Sequence, residues 1–426
     1  MRYAKYKPTG IAWLPEVPEG WEMVRNKTFL TITDEKVGGR KNEFTLLSLT
    51  KQGVIVRDLT EMKGKFPKDF DTYLVVRPDN LVFCLFDVDE TPRTVGLVRN
   101  VGMLTGAYTN FKVDNDLVLP EFACYYYLHV DDAKKLRPYY TGLRKVVKTN
   151  TFLQLRFPCP PLSEQQSIVA YLDEKCGKVD RLVAAKEKEA TLLKELKQSM
   201  VAEAVTGATK VARTDAARKM KPSGIPWLPE VPEGWEVKRV ATLLKIKDCP
   251  SAPNEELLSV FLDRGVIRFS EGGEKRANAT SKDLSKYQLV EVDDFVMNNQ
   301  QAWRGSVGIS RYRGIVSPAY FVVRLADCID SKYAEYAFRS RPFVSVYELC
   351  SRGVGSIQRN LIWNMFKQQH LPLPPLAEQR EIVAYIEARA AKIDAAVKGL
   401  EREVAALKEY KQRLIADVVT GQRKVA

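Results

Sequence analysis

Two stretches of this chain place apolar residues in alternating steps of four and three for more than thirty residues. In the first, the line runs Ile168, Leu172, Lys175, Val179, Leu182, Lys186, Glu189, Leu193, Leu196 and Met200. In the second it runs Ile382, Ile386, Arg389, Ile393, Ala396, Leu400, Glu403, Leu407, Tyr410 and Leu414. Charged residues fill most other positions, so the pattern is that of a coiled-coil seam held over five heptads. Pro160-Pro161 fits only the first turn of a helix, Ser163 with Glu164 and Gln165 makes an N-terminal turn, and Gly207 is a natural stop. At 1.5 Å per residue each helix is roughly 65 Å long, against an average helix of ~11–12 residues. Helices of that length bury their seams most readily against each other, as an antiparallel pair. Polar breaks at Lys175/Arg389 and Glu189/Glu403 fall at equivalent places, which suits a register-fixing role and equally suits tolerated substitution.

The remaining segments mix periods. Strand-like runs are Phe44–Leu49, Tyr73–Val76, Leu81–Phe86, Phe295–Met297 and Tyr320–Arg324; helical runs are Glu121–His129 and Ser331–Arg339. The chain is also written twice. KPTGIAWLPEVPEGWE at 7–22 returns as KPSGIPWLPEVPEGWE at 221–236, and PPLSEQQSIVAYLDEK at 160–175 returns as PPLAEQREIVAYIEAR at 374–389. Both pairs are offset by 214 residues, half of the 426-residue chain. Between these blocks, over 30–158 and 244–372, the likeness falls to scattered positions such as Leu46-Leu47-Ser48 against Leu257-Leu258-Ser259. The predicted fold is therefore α+β: a first domain over 1–159, a long helix over 160–207, a homologous domain over 208–373, and a second long helix over 374–421, related by an internal pseudo-two-fold. The repeated WLPEVPEGWE reads as a rigid apolar loop that docks each domain onto the helical scaffold.

Charge changes the picture more than composition does. A net charge of +13 makes nucleic acid the first partner to consider, with an acidic protein as the other. No apolar run reaches the ~18 residues needed to cross a bilayer. Seven scattered cysteines without a CxxC pair read as reduced thiols of a cytoplasmic protein, mostly filling cores. There is no GxxxxGK[ST] phosphate loop, no glycine-rich cofactor loop, and no Asn/Asp-Pro-Pro-aromatic motif of amino-methyltransferases. The two histidines, His129 and His370, stand in unrelated segments and read as structural, and Glu61-Met62-Lys63 is an isolated fragment of a nuclease-like cluster. Nothing here reads as an enzyme or as a metal site.

Base contact needs amide and guanidinium groups on loops that approach closely. In the second domain the candidates are Asn298, Asn299, Gln300, Gln301, Trp303, Arg304 and Ser306, followed by Arg352, Ser356, Gln358 and Arg359 in a glycine-rich loop. In the first domain the corresponding segments, 87–93 and 144–150, offer Arg93, Arg144, Lys145 and Lys148 beside an acidic Asp87-Val88-Asp89-Glu90. The alternative is a coiled-coil adaptor whose two domains bind proteins.

The two PPLxEQ helix openings, each after a variable domain and a GWE segment, resemble the specificity subunits of type I restriction–modification systems, and the likeness covers the whole chain. That resemblance implies two target-recognition domains, each reading one half of a split, asymmetric double-stranded DNA site. It implies an antiparallel helical spacer docking two modification subunits, with restriction (motor–nuclease) subunits joining the complex. S-adenosylmethionine, ATP and Mg would then sit on those partners and no cofactor on this chain. The acidic 87–93 segment departs from a DNA-facing loop.

Overall fold

The structure, a computed structural model, describes residues 2–57, 69–209, 211, 219–247, 252–272, 283–353 and 359–425. Glu61, Met62 and Lys63 lie outside them, as do Ser356, Gln358 and one of the seven cysteines, Cys249. The chain forms two compact units, Met1–Glu187 with Arg402–Ala426, and Lys188–Glu401. Helices Leu162–Thr206 and Leu376–Val419 each give one stretch to either unit.

Each unit holds the same β framework. In unit 1 a four-stranded antiparallel sheet orders Leu30–Thr33, Thr109–Val113, Leu81–Phe83 and Val95–Leu97; in unit 2 the order is Leu244–Ile246, Tyr320–Leu325, Phe295–Asn298 and Val307–Ile309. A hairpin flanks each sheet, Leu47–Thr50 with Gly53–Val56 and Leu258–Phe261 with Gly265–Arg268. The strand before each long helix, Arg156–Cys159 or His370–Leu373, pairs with Glu22–Arg25 or Glu236–Arg239. One helix then covers the sheet, Pro120–Asp132 or Ser331–Arg339. The duplication legible at the chain's conserved blocks thus extends through the divergent segments, where backbone pairing keeps the frame and the side chains change.

The cores differ in filling. Phe29, Phe83, Phe111, Phe122, Phe152, Phe157, Tyr126 and Tyr127 make a continuous aromatic cluster in unit 1, whose burial supplies roughly 1.5–3 kcal/mol per ring before chain entropy is set against it. Unit 2 packs Phe295, Phe338, Phe343, Tyr333 and Tyr347 among more aliphatic neighbours. In both, Cys84, Cys124, Cys159, Cys176 and Cys350 are buried free thiols.

Repeated WLPEVPEGWE supplies the second strand of a β-hairpin rather than a loop. Leu14–Pro18 pairs with Tyr6–Ile11, and Leu228–Pro232 with Met220–Ile225. Prolines are tolerated because these two-stranded ribbons are all edge, and the Thr9 or Ser223 hydroxyl bonds the Leu14 or Leu228 carbonyl within the turn. The docking role holds: Trp21 and Trp235 are buried, and each lies against the glycine ending a long helix, Gly421 or Gly207. Both glycines have positive φ, 72° and 81°, and a methyl group added to either would collide with the ring of Pro18 or Pro232.

The helices pair antiparallel within each unit, but their seam differs from the expected one. In the first helix Leu172, Cys176, Val179, Val183, Lys186, Ala190, Leu193, Lys197 and Met200 face inward, whereas Leu182 and Leu196 are 51% and 56% exposed. In the second, Ala390, Val397, Val404 and Lys411 replace the expected Arg389, Ala396, Glu403 and Tyr410. The heptad period is right and one of its two rows is displaced by a residue. Small side chains in that row allow close approach, and large apolar ones are left on the outer face. The polar breaks are consequently beside the seam: Glu403 receives Lys186, while Lys197–Asp394 (2.7 Å) and Lys411–Asp180 (2.6 Å) are the same pair at a 214-residue offset.

Candidate nucleic-acid interface

In unit 2, Asn298 ends a sheet strand and its side chain accepts the Gln300 amide at 3.2 Å, opening a turn that Gly305 closes with φ of 97°. Within the turn the Trp303 indole donates to the Gln300 carbonyl at 3.2 Å. Arg304 lies 5.2 Å from the Trp303 ring centre and Arg359 4.7 Å from it, so two guanidinium groups stack on one indole. Arg359 arrives from the second predicted loop and is held by Glu348 at 3.2 Å. The Leu361 amide bonds the Asn299 carbonyl, joining the two loops through the backbone. Asn298, Asn299, Gln300, Gln301, Trp303, Arg304 and Arg359 thus form one patch, with exposed Arg352 on the short strand beside it. Ser306 does not join the exposed patch. It is 3% exposed and its hydroxyl donates to the Val260 carbonyl, anchoring the loop to the neighbouring hairpin. Asn299 Oδ1 is buried without a hydrogen-bond partner among the described residues.

Unit 1 brings its loops together in the same place: the Val147 amide bonds the Leu85 carbonyl, the counterpart of Leu361 and Asn299. The chemistry is inverted. Arg144 pairs with Asp87 at 2.6 Å and lies over the Phe86 ring; Lys145 pairs with Asp89 at 3.2 Å and with Glu90; Arg137 holds Asp89 at 2.9 Å. Hydrogen bonds from Arg144 hold the Asp87 carboxyl below its usual range, and Arg137 then Lys145 do so for Asp89. The basic candidates Arg144 and Lys145 are therefore neutralised by the acidic loop. Arg93 turns away from both loops, its guanidinium donating to the Val95 and Lys51 carbonyls. Lys148 is exposed, just ahead of the Thr149–Gln154 helix.

Residues 232–404 match the family model for the type I restriction modification DNA specificity domain. The second half of the chain is therefore similar to that domain. Among its relatives, the MjaVIII type I restriction enzyme specificity subunit of Methanocaldococcus jannaschii is 23% identical, the alignment covering 96% of this chain and 94% of that protein. The EcoKI specificity subunit of Escherichia coli is 25% identical over 65% of this chain and 59% of its own length. A solved chain from work on the assembly and conformational transition of the type I R-M system superposes with a TM-score of 0.64 at 16% identity, covering 95% of this chain and 98% of the other, which supports the fold. The relatives that it resembles over its length are named as specificity subunits of type I restriction enzymes.

The fold also depends on two side chains whose role the sequence pattern did not give. Gln165 and Gln379, the last residues of the two PPLxEQ motifs, are fully buried. Gln165 accepts the Leu119 amide at 2.8 Å and donates to the Leu117 and Pro160 carbonyls; Gln379 accepts the Asp330 amide at 2.8 Å and donates to the Cys328 and Pro374 carbonyls. Each amide therefore clasps the start of the helix over the sheet to the start of a long helix. The signal was in the repeat, since both glutamines are copied. His129 is held neutral, its pKa pushed down to about 4 by burial and by Lys135. Among the described residues no group of three or more His, Cys, Asp or Glu side chains could hold a metal ion, and no helix is long and apolar enough to cross a membrane.

Proposed function

We propose that this specificity subunit reads a bipartite, asymmetric site on double-stranded DNA, one half-site per recognition domain. The observation that carries the reading is the pair of loops joined in each unit at the edge of the sheet. They occupy equivalent backbone positions and carry opposite chemistry, Arg304–Trp303–Arg359 in one and Asp87–Arg144 with Asp89–Lys145 in the other. A frame that is kept while its loops differ suits two readers of two unlike half-sites. Phosphate contacts would supply most of the affinity and base contacts the discrimination.

The paired helices, in this reading, set the spacing between half-sites and dock two modification subunits. Support comes from the large apolar residues their seam leaves outside: Leu182 and Tyr410 in unit 1, Leu192 and Leu196 in unit 2. The chain itself carries no chemistry; S-adenosylmethionine, ATP and Mg belong to the modification and restriction (motor–nuclease) subunits of a cytoplasmic complex. Arg304→Ala tests the reading. With Arg304 bidentate on a guanine, the assembled complex loses about 1–3 kcal/mol on its own motif and relaxes at one base of the second half-site. Methylation kinetics on single-base variants of that motif check this, and an unaltered profile refutes a base contact.

A further inference from the structure

We propose that unit 2 holds the sugar–phosphate backbone of duplex DNA in the cleft between its Leu258–Arg268 hairpin, its Ser331–Arg339 helix and the long helices, and that the matching cleft of unit 1 does not. The inference rests on the DNA-reading function proposed above and adds where the phosphates are held. Both clefts are formed by the same elements, with volumes of about 930 Å³ in unit 2 and about 530 Å³ in unit 1. Eight cations and four carboxylates line the first, against three and three in the second.

Equivalent positions show how the difference arises. Gln165 and Gln379 clasp Leu119 and Asp330 identically, so Glu121 in one helix stands where Lys332 stands in the other. Two residues beyond Val95–Leu97 and Val307–Ile309, Arg99 likewise matches Arg311. In unit 1, Arg99 and Glu121 form an ion pair at 2.7 Å. In unit 2 the carboxylate has become a lysine, and two like charges line one concavity.

The other cations divide cleanly. In unit 1 all three have partners: Arg99 on Glu121, Lys411 on Asp180, Arg93 on two carbonyls. In unit 2, Lys197 keeps the equivalent Asp394, Lys194 has Glu401, Arg339 has Glu335, and Arg264 donates to the Glu271 carbonyl. Arg304, Arg311, Lys332 and Arg341 are exposed, and among the described residues none makes an ion pair.

Four unpaired cations around a concave wall raise the local potential and attract a polyanion. They are spread over two loops and two helices, which suits repeated phosphates better than one carboxylate group. Arg304 and Gly305 belong both to this cleft and to the candidate base-reading loop, so a strand entering the loop has its phosphates beside these cations.

The test uses the full chain assembled with its modification subunits, with fluorescence anisotropy on a duplex bearing the methylated motif and on an unrelated duplex across a salt series. Arg311→Gln with Lys332→Gln should weaken binding equally on both duplexes. The slope of log K against log salt should become shallower by about 2, at ~0.9 per phosphate. Lys332→Glu rebuilds the unit 1 ion pair; it should give a similar loss with unchanged thermal unfolding, which separates binding from folding. Unchanged affinity and slope in both variants overturn the inference. A loss confined to the motif duplex overturns it in favour of base contact, and a loss of co-purifying modification subunit overturns it in favour of a protein-docking cleft. An unaltered assembly that binds neither duplex refutes the DNA-reading function itself.

Discussion

Unit 1 and unit 2 share strand order, clasp, hairpin and helix ends, yet their candidate contact loops are stabilised by different means. The unit 1 loops close on ion pairs, Asp87–Arg144 and Asp89–Lys145, which leave little net charge to offer a ligand. The unit 2 loops close on an indole, with the Arg304 guanidinium stacked on its face and exposed. The two halves have in common the backbone frame, the glutamine clasp and the helix-end joints; they differ in core filling, loop ends and cleft rims. On the proposed reading, a recognition domain could change its target without disturbing the clasp and joints that hold it to the helices.

Exchange of the divergent segment is the severest way to break that comparison. Replacing 244–372 with the segment of a relative should change one half of the methylated motif completely and leave the other half and the spacing intact. Sequencing of methylated DNA reads the outcome, and a simultaneous change in both halves would sink the two-reader account. The clasp should matter equally in both units. Gln165→Ala or Gln379→Ala leaves one backbone amide and two carbonyls without a partner, for a loss of about 3 kcal/mol in denaturant unfolding. Similar values are expected for the pair; a tolerated change in one unit alone would mean that the clasps differ in weight.

The helix ends come next. Gly207→Ala and Gly421→Ala each force a side chain into left-handed backbone beside a proline ring, for about 2 kcal/mol of destabilisation by thermal unfolding. The smallest effect separates the loops by acid. Asp87 and Asp89 have folded pKa values below their ordinary ones, so the contribution of their pairs is complete above about pH 4, the unfolded carboxylate range, and fades as pH falls through the lower folded values. Amide protection at Asp87, corrected for intrinsic exchange, should fall in that window before protection at Gly305 does. Simultaneous loss at both would place the cause in global unfolding.

Much of this was legible in the chain. The 214-residue offset announced the duplicated frame, and Ser331–Arg339 has the bounds its sequence suggested. The seam was half legible, because a 4-3 period gives the spacing of two rows but not the side on which the second row lies. Leu182 and Leu196 drew the reading toward the larger apolar residues, whereas the helices meet through Cys176, Val183 and Ala190. The hairpins were missed because two prolines in ten residues read as a loop, although a ribbon with two free edges can hold them. In the candidate interface, the pattern named the loops and missed which side chains they use internally: Ser306 faces the Val260 carbonyl, and Arg144 and Lys145 are bound by the acids beside them. Those outcomes depend on contacts across the sheet, which local sequence does not carry.

The joint at Gly421 has a further consequence. There the Tyr6 hydroxyl donates to the Gly421 carbonyl at 2.9 Å, and the Arg2 guanidinium reaches Gln422 at 2.7 Å, so the two ends of the described chain meet as neighbours. The equivalent joint, Gly207 against Pro232 and Trp235, lies in the middle of the chain. One contact is made by residues some four hundred positions apart and the other by residues about twenty-five apart, with the same geometry. The two joints thus repeat one local geometry at a 214-residue offset. A circularly permuted chain, joined between 425 and 2 by a short flexible linker and opened between Thr209 and Pro222, should keep its fold, because the cut and the seal exchange two joints that are built alike.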